Sequence, residues 1–183
     1  KYIQSTKLAF PEEERTEIGF FINLETITGY ENFDKMMVIP EAKDLQGIVL
    51  GRVDMTGSMG LSRENINCEK ILEIAKNLAD KCLKYGKKFV VGGGVSYHSM
   101  PFFKSLPKDS LYKFETRKVI FDAQKAMNAK DIDKGILKAV GFELMWLKNK
   151  QKFYEMIYRE DESRIVMLEN RYKKLIEETG VKI

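Results

Sequence analysis

Apolar residues fall in short runs that each break off into polar or small residues: 20-FFINLET-26, 47-GIVLGRVD-54, 88-KFVVGGGVS-96 and 111-LYKFETRKVIF-121. Short, rich in Val, Ile and Phe and bounded by Gly or Pro, they predict strands near residues 20–26, 47–53, 88–95 and 114–121. Between them the apolar spacing becomes helical. Segment 31–39 stops at Pro40, and segment 68–86 carries Ile71, Ile74, Ala75, Leu78 and Cys82 on one face, with Asn67 as its expected cap and Gly86 at its end. A short helix over 99–106 has Pro101 in its first turn. Residues 2–10, before Pro11, read as the end of a helix, and 12-EEERTE-17 as a solvated loop. Strand alternating with helix is the signature of parallel β/α units.

After Phe121 the pattern changes. From Ile132 to Glu178 nearly every residue is a helix former, with Ile136, Leu137, Val140, Leu144 and Leu147 along one face and Ile165, Leu168, Tyr172 and Leu175 along another. The second set repeats at three and four, which suits a seam against another helix, on the same chain or on a second subunit. The expected division is therefore a β/α domain over 1–125 and a helical extension over 126–183.

Four parallel β/α units make half of an eight-stranded (β/α)8 TIM barrel. The expected fold is the later half of such a barrel, of the phosphoenolpyruvate/pyruvate type, followed by long C-terminal helices. An open half-barrel leaves a strand edge and an interior to cover. The expectation is that further β/α units lie upstream of Lys1, or that two chains close on each other.

Composition narrows the partners. With 31 Lys plus Arg against 27 Asp plus Glu among 183 residues, the net charge of +4 is spread thinly and forms no basic run of the nucleic-acid-binding kind. Cys68 and Cys82 are not spaced as zinc ligands and read as reduced core or helix residues. No apolar segment reaches the ~20 residues that span a bilayer, and no signal-peptide pattern is present. A cytoplasmic protein, without nucleic-acid or membrane partners, is expected.

In parallel β/α folds the chemistry lies at the C-terminal ends of the strands. There the first strand presents Glu25 and Thr26, the second Asp54, Thr56 and Ser58, and the third three glycines and Ser96. Two carboxylates on neighbouring strands, Glu25 and Asp54, suit Mg2+ or Mn2+, which take oxygen ligands from one or two carboxylates plus water and substrate. The alternative is that each caps the helix that follows. In 51-GRVDMTGSMG-60, Gly51 and its companions let backbone amides approach an anion beside that metal.

Together, 22-INLETITGYENFD-34 and 47-GIVLGRVDMTGSMGL-61 resemble the HpcH/HpaI aldolase and citrate lyase β-subunit family. That family has a strand ending in Glu-Thr or Glu-Ser, an Asn further on, then Gly-hydrophobic-Gly-x-x-Asp-Leu-Ser/Thr and a trailing Gly, here Gly60. The likeness covers about Gly19 to Phe121. It implies a metal-dependent carbon–carbon lyase with Glu25 and Asp54 as Mg2+ or Mn2+ ligands. A 2-oxo acid or CoA ester is the implied substrate, its carboxylate is held by the amides of Val53 and Asp54, and the metal steadies the enolate. It also implies a homo-oligomer packed through C-terminal helices. Asn23 stands where the aldolases often have Gln, and Arg52 where they commonly have Pro. Arg52, His98 and Arg117 are the remaining candidates for a catalytic part. His98 follows the third strand and opens a helix, which also suits a surface role. Arg117 shares a strand face with Glu115 by alternation, as an ion pair or as a contact to an anionic substrate. Two other functions stay open: a catalytically silent assembly subunit, and a phosphoenolpyruvate-using relative.

Overall fold

A computed structural model describes residues 2–180. Strands β1 (Phe20–Leu24), β2 (Leu45–Gly51), β3 (Lys88–Gly92) and β4 (Leu111–Glu115) run parallel, in that spatial order, and β5 (Ile120–Asp122) is antiparallel to β4 at the edge. The protein is thus a mixed α/β fold around a five-stranded, mostly parallel sheet.

The third strand and its crossover show how the sequence builds this. Helix α6 (Glu69–Lys84) lies between β2 and β3 in the chain and buries Ile71, Ile74, Ala75, Leu78 and Cys82, the stripe its periodicity predicts, together with Ala79. Beyond its end the Lys87 amide donates to the Cys82 carbonyl at 2.7 Å, closing the turn around Gly86. The buried stripe belongs to the same core as Leu24, Ile48, Leu50, Phe89, Val91 and Phe114, alternate residues of the first four strands. Burial pushes the Cys82 thiol up to about 12, so it behaves as a small apolar core residue.

Several boundaries differ from expectation. The run 111–121 is not one parallel strand. Thr116 accepts from the Val119 amide through its hydroxyl at 3.1 Å and donates its own amide to the Val119 carbonyl at 2.9 Å, closing a tight turn between β4 and β5. Segment 31–39 is divided between α3 (Ile27–Glu31) and α4 (Phe33–Met37), and Pro40 opens a 3-10 turn instead of ending structure. Residues 2–9 form α1 (Tyr2–Ala9), and the acidic run holds α2 (Glu12–Arg15), a single exposed turn. Helix α5 (Arg52–Ser58) begins immediately after β2, so Asp54 stands on a helix and not at a strand end. Helix α7 (Met100–Lys104) follows the 3-10 turn Tyr97–Ser99, and α8 (Ala123–Asn128) follows β5.

Helix α9 runs from Ile132 to Thr179. Its first residues belong with the sheet, with Ile136 and Ala139 buried, so the compact α/β unit extends to Val140, past the expected division at 125/126. From Gly141 a second unit begins, helical through Thr179, and none of its described residues is buried.

Candidate functional site

One row of side chains crosses the C-terminal edge of the sheet. Leu24 pairs with Leu50, Gly51 with Gly92, and Val91 with Phe114. One residue further along, Glu25, Gly51, Gly92 and Glu115 therefore stand side by side at the ends of four neighbouring strands, all on the face opposite Leu24, Leu50, Val91 and Phe114.

The two central glycines leave room for the two outer acids. A Cβ on Gly51 would sit 2.6 Å from both Cγ and Oε1 of Glu25, and one on Gly92 would sit 3.2 Å from the same atoms of Glu115. Each carboxylate thus leans inward over its glycine neighbour, toward the other. Asn23, two residues before Glu25 and on the same face, donates from Nδ2 to Glu25 Oε1 at 3.1 Å. The Glu115 carboxyl is held above its ordinary range, first by desolvation and then by the negative charge of Glu25. Among the described residues, neither Glu25 nor Glu115 has an ion-pair partner.

Neither Glu25 nor Asp54 caps a helix. Thr26 is the cap of α3, its hydroxyl accepting from the Gly29 amide at 3.1 Å. Gly51 occupies the cap position of α5 and has no side chain to offer, so the first-turn amides, including those of Val53 and Asp54, lack a side-chain acceptor. The Asp54 carboxylate is exposed and makes no ion pair or hydrogen bond among the described residues. The helices that follow β1 and β2, α3 and α5, are tied together, because the Ile27 amide donates to Ser58 Oγ at 2.9 Å.

Arg52 is in a different situation. Its side chain is wholly buried, with Nε donating to the Gly92 carbonyl at 3.2 Å and Nη2 to the Gly93 carbonyl at 2.9 Å and to Ser99 Oγ at 3.1 Å. Nη1 donates to Asn67 Oδ1, and the guanidinium lies 5.0 Å from the Phe102 ring centre and 5.3 Å from that of Phe103. Burial lowers its pKa to about 10, which leaves it charged at neutral pH. Its donors are directed at the loop that follows β3, so its part is to position that loop. Asn67, the expected cap of α6, is one of its partners, and Cys68 holds the cap position instead.

That loop depends on Gly93. It adopts φ +80°, and a Cβ there would lie 2.8 Å from the backbone nitrogens of both Arg52 and Val53. The loop thereby packs against the start of α5.

His98 follows β3 in the 3-10 turn, as expected, but is exposed, with its ring 3.8 Å from that of Tyr97. Arg117 is displaced from its expected position. It lies exposed in the β4–β5 turn, off the strand, so it neither shares a face with Glu115 nor pairs with it.

The donor set can be tested against Mg2+ or Mn2+. Among the described residues no three His, Cys, Asp or Glu side chains gather into a ready cage. Two facing carboxylates without a paired basic side chain fit the sparse protein ligand set of a hard cation that keeps water and substrate ligands, and Asp54 is exposed in the first turn of α5. Asn23, Glu25, Gly51, Val53 and Asp54 all fall at this rim. Glu115 was missed as a site residue. Its position beside Gly92 follows from the β3–β4 register, which local periodicity does not contain.

The chain matches no known family model and no curated protein. No described helix is long and apolar enough to cross a membrane.

Proposed function

We propose that this protein is a divalent-metal-dependent carbon–carbon lyase built on part of a (β/α)8 barrel, acting on a 2-oxo acid or a CoA ester. The supporting observation is the row Glu25–Gly51–Gly92–Glu115, in which two carboxylates without cationic partners lean over two glycines at the strand ends where such folds carry their chemistry. The resemblance of the Glu25 and Asp54 motifs to the HpcH/HpaI aldolases adds the reaction class.

Glu25 and Asp54 would hold Mg2+ or Mn2+, with Glu115 adding negative charge on the far side of the glycine floor. A metal held there would supply Lewis-acid stabilisation of the negative charge that develops on the substrate oxygen as the neighbouring carbon–carbon bond breaks. Asn23 fixes the Glu25 carboxylate by its hydrogen bond. The amides of Val53 and Asp54, without a capping side chain, orient the substrate carboxylate. Arg52 holds the Gly93 loop against the start of α5, at the backbone nitrogens of Arg52 and Val53.

Calorimetric titration with MnCl2 tests the site. One Mn2+ should bind, with affinity lowered about tenfold or more by Glu25→Gln and by Asp54→Ala, each losing one charged ligand, while the circular dichroism spectrum is unchanged. Mn2+-dependent cleavage of a 2-oxo acid should be lost in both variants. Absence of Mn2+ binding to the folded parent would support the silent assembly subunit instead.

A further inference from the structure

The second unit carries a seam that takes no part in the proposed chemistry. From Leu144 to Leu175 a single heptad frame places Leu144, Gln151, Tyr158, Ile165 and Tyr172 at one seam position and Leu147, Tyr154, Asp161, Leu168 and Leu175 at the other. Only Gln151 and Asp161 interrupt an otherwise apolar and aromatic stripe. All of it is helix, and the stripe is exposed: Leu144 is 54% accessible, Ile165 55% and Leu175 46%. Leucines and isoleucine this open along so many turns form a surface that calls for a partner.

The flanking charges identify which partner. The residue before each first seam position is Glu143, Lys150, Ile157, Arg164 and Arg171, and the residue after each second is Lys148, Glu155, Glu162, Glu169 and Ile176. When two copies lie parallel and in register, a residue of the first set faces the residue five further on in the other copy. That juxtaposes Glu143 with Lys148, Lys150 with Glu155 and Arg164 with Glu169. Every pair in which both members are charged is attractive. The fully overlapped antiparallel arrangement instead sets Lys150 against Arg171 and Glu155 against Glu162. Among the described residues Glu155 accepts only from Gln151 Nε2, at 3.0 Å, and Lys150 lies over the Trp146 and Tyr154 rings, so neither is committed to an opposite charge there.

We propose that residues 144–175 pair with the same segment of a second copy of this chain as a parallel, in-register, two-stranded coiled coil. The frame is independent of the lyase reading. It carries one unfavourable layer, in which Asp161 meets its own copy across the seam, while the Gln151 side chains meet as amides able to bond each other.

Sedimentation of the full chain at micromolar concentration, with variants at exposed helix positions that leave the α/β core untouched, is the test. The parent should sediment as a dimer and Leu168→Asp as a monomer. Asp161→Leu should tighten the dimer about tenfold or more, the scale of burying one leucine per chain. Lys150→Glu should weaken it, and adding Glu155→Lys to that variant should restore it. A monomeric parent, a trimer or larger species, or an association that Leu168→Asp leaves unchanged would each overturn the two-stranded pairing. Tightening by Lys150→Glu, which relieves a contact with Arg171 only when the helices run opposite, would overturn the parallel orientation.

Discussion

Glu115 and Asp34 are both acids near other charged groups, and their surroundings act in opposite senses. Lys81 Nζ lies 2.6 Å from Asp34 and donates to it, Tyr85 donates at 3.0 Å, and together they hold the Asp34 carboxyl below its ordinary range. Its contribution to stability is present above the unfolded pKa and is lost as pH falls through the lower folded one. Glu115 is raised by desolvation and by Glu25, so the folded state binds its proton more tightly than the unfolded state does. The sign then reverses: the cost is absent in acid, grows as pH rises above the unfolded pKa, and is complete above the folded one. Glu115→Gln should therefore raise the thermal midpoint at neutral pH in metal-free buffer, with the gain shrinking as the pH is lowered through the carboxylate range. With saturating Mn2+ the parent should recover the difference, because the cation compensates the charge that glutamine lacks. Thermal scans with and without Mn2+ across pH check both halves.

At the scale of elements, the join of β2 to α5 is held by the side chain that follows the strand. Arg52→Met would keep the apolar packing on Phe102 and Phe103 but leave the Gly92 and Gly93 carbonyls and Asn67 Oδ1 without their donor. Orphaned buried acceptors cost about 1–3 kcal/mol each before relaxation and water entry, so a loss of about 2–4 kcal/mol is expected. Urea denaturation measures it, and faster hydrogen exchange in residues 93–99 locates it. The same join shows what could be read in advance. The strands near residues 20–26, 47–53 and 88–95 and the buried stripe of α6 follow from short apolar runs and three–four spacing, although the strands end earlier, at Leu24, Gly51 and Gly92, and that order of strands sets Glu25 and Asp54 after neighbouring strands. Local pattern does not contain the direction of the Arg52 side chain, because its acceptors at Gly92, Gly93 and Ser99 lie 40 or more positions away and are set by the end of β3 and the loop after it. The β4–β5 turn was within reach, since Thr116, Arg117 and Lys118 interrupt the apolar run. Reading through them placed Arg117 on a strand and hid the isolation of Glu115.

For the molecule as a whole, the distribution of burial predicts which part folds by itself. Every buried side chain among the described residues lies at or before Ala139, and Ile136 already belongs to the core that includes Phe114 and Leu78. Beyond Val140 the helix has no buried residue, so hydrogen bonding along its own backbone and intrahelical contacts such as Lys174 with Glu178 at 3.7 Å are what it supplies to itself. Such exposed pairs contribute only about 0.3–0.5 kcal/mol. A chain ending at Val140 should consequently unfold in one cooperative transition with a midpoint close to that of the full chain measured as a monomer, for example in the Leu168→Asp background. It should also keep the Mn2+ site, since Glu25, Asp54 and Glu115 all lie in the retained unit, and lose the concentration dependence of the thermal midpoint that a dimer imposes. Calorimetry of the two chains over a range of protein concentrations distinguishes these contributions. A truncated chain that melts without cooperativity would mean that residues after Val140 complete the core, contrary to the burial pattern.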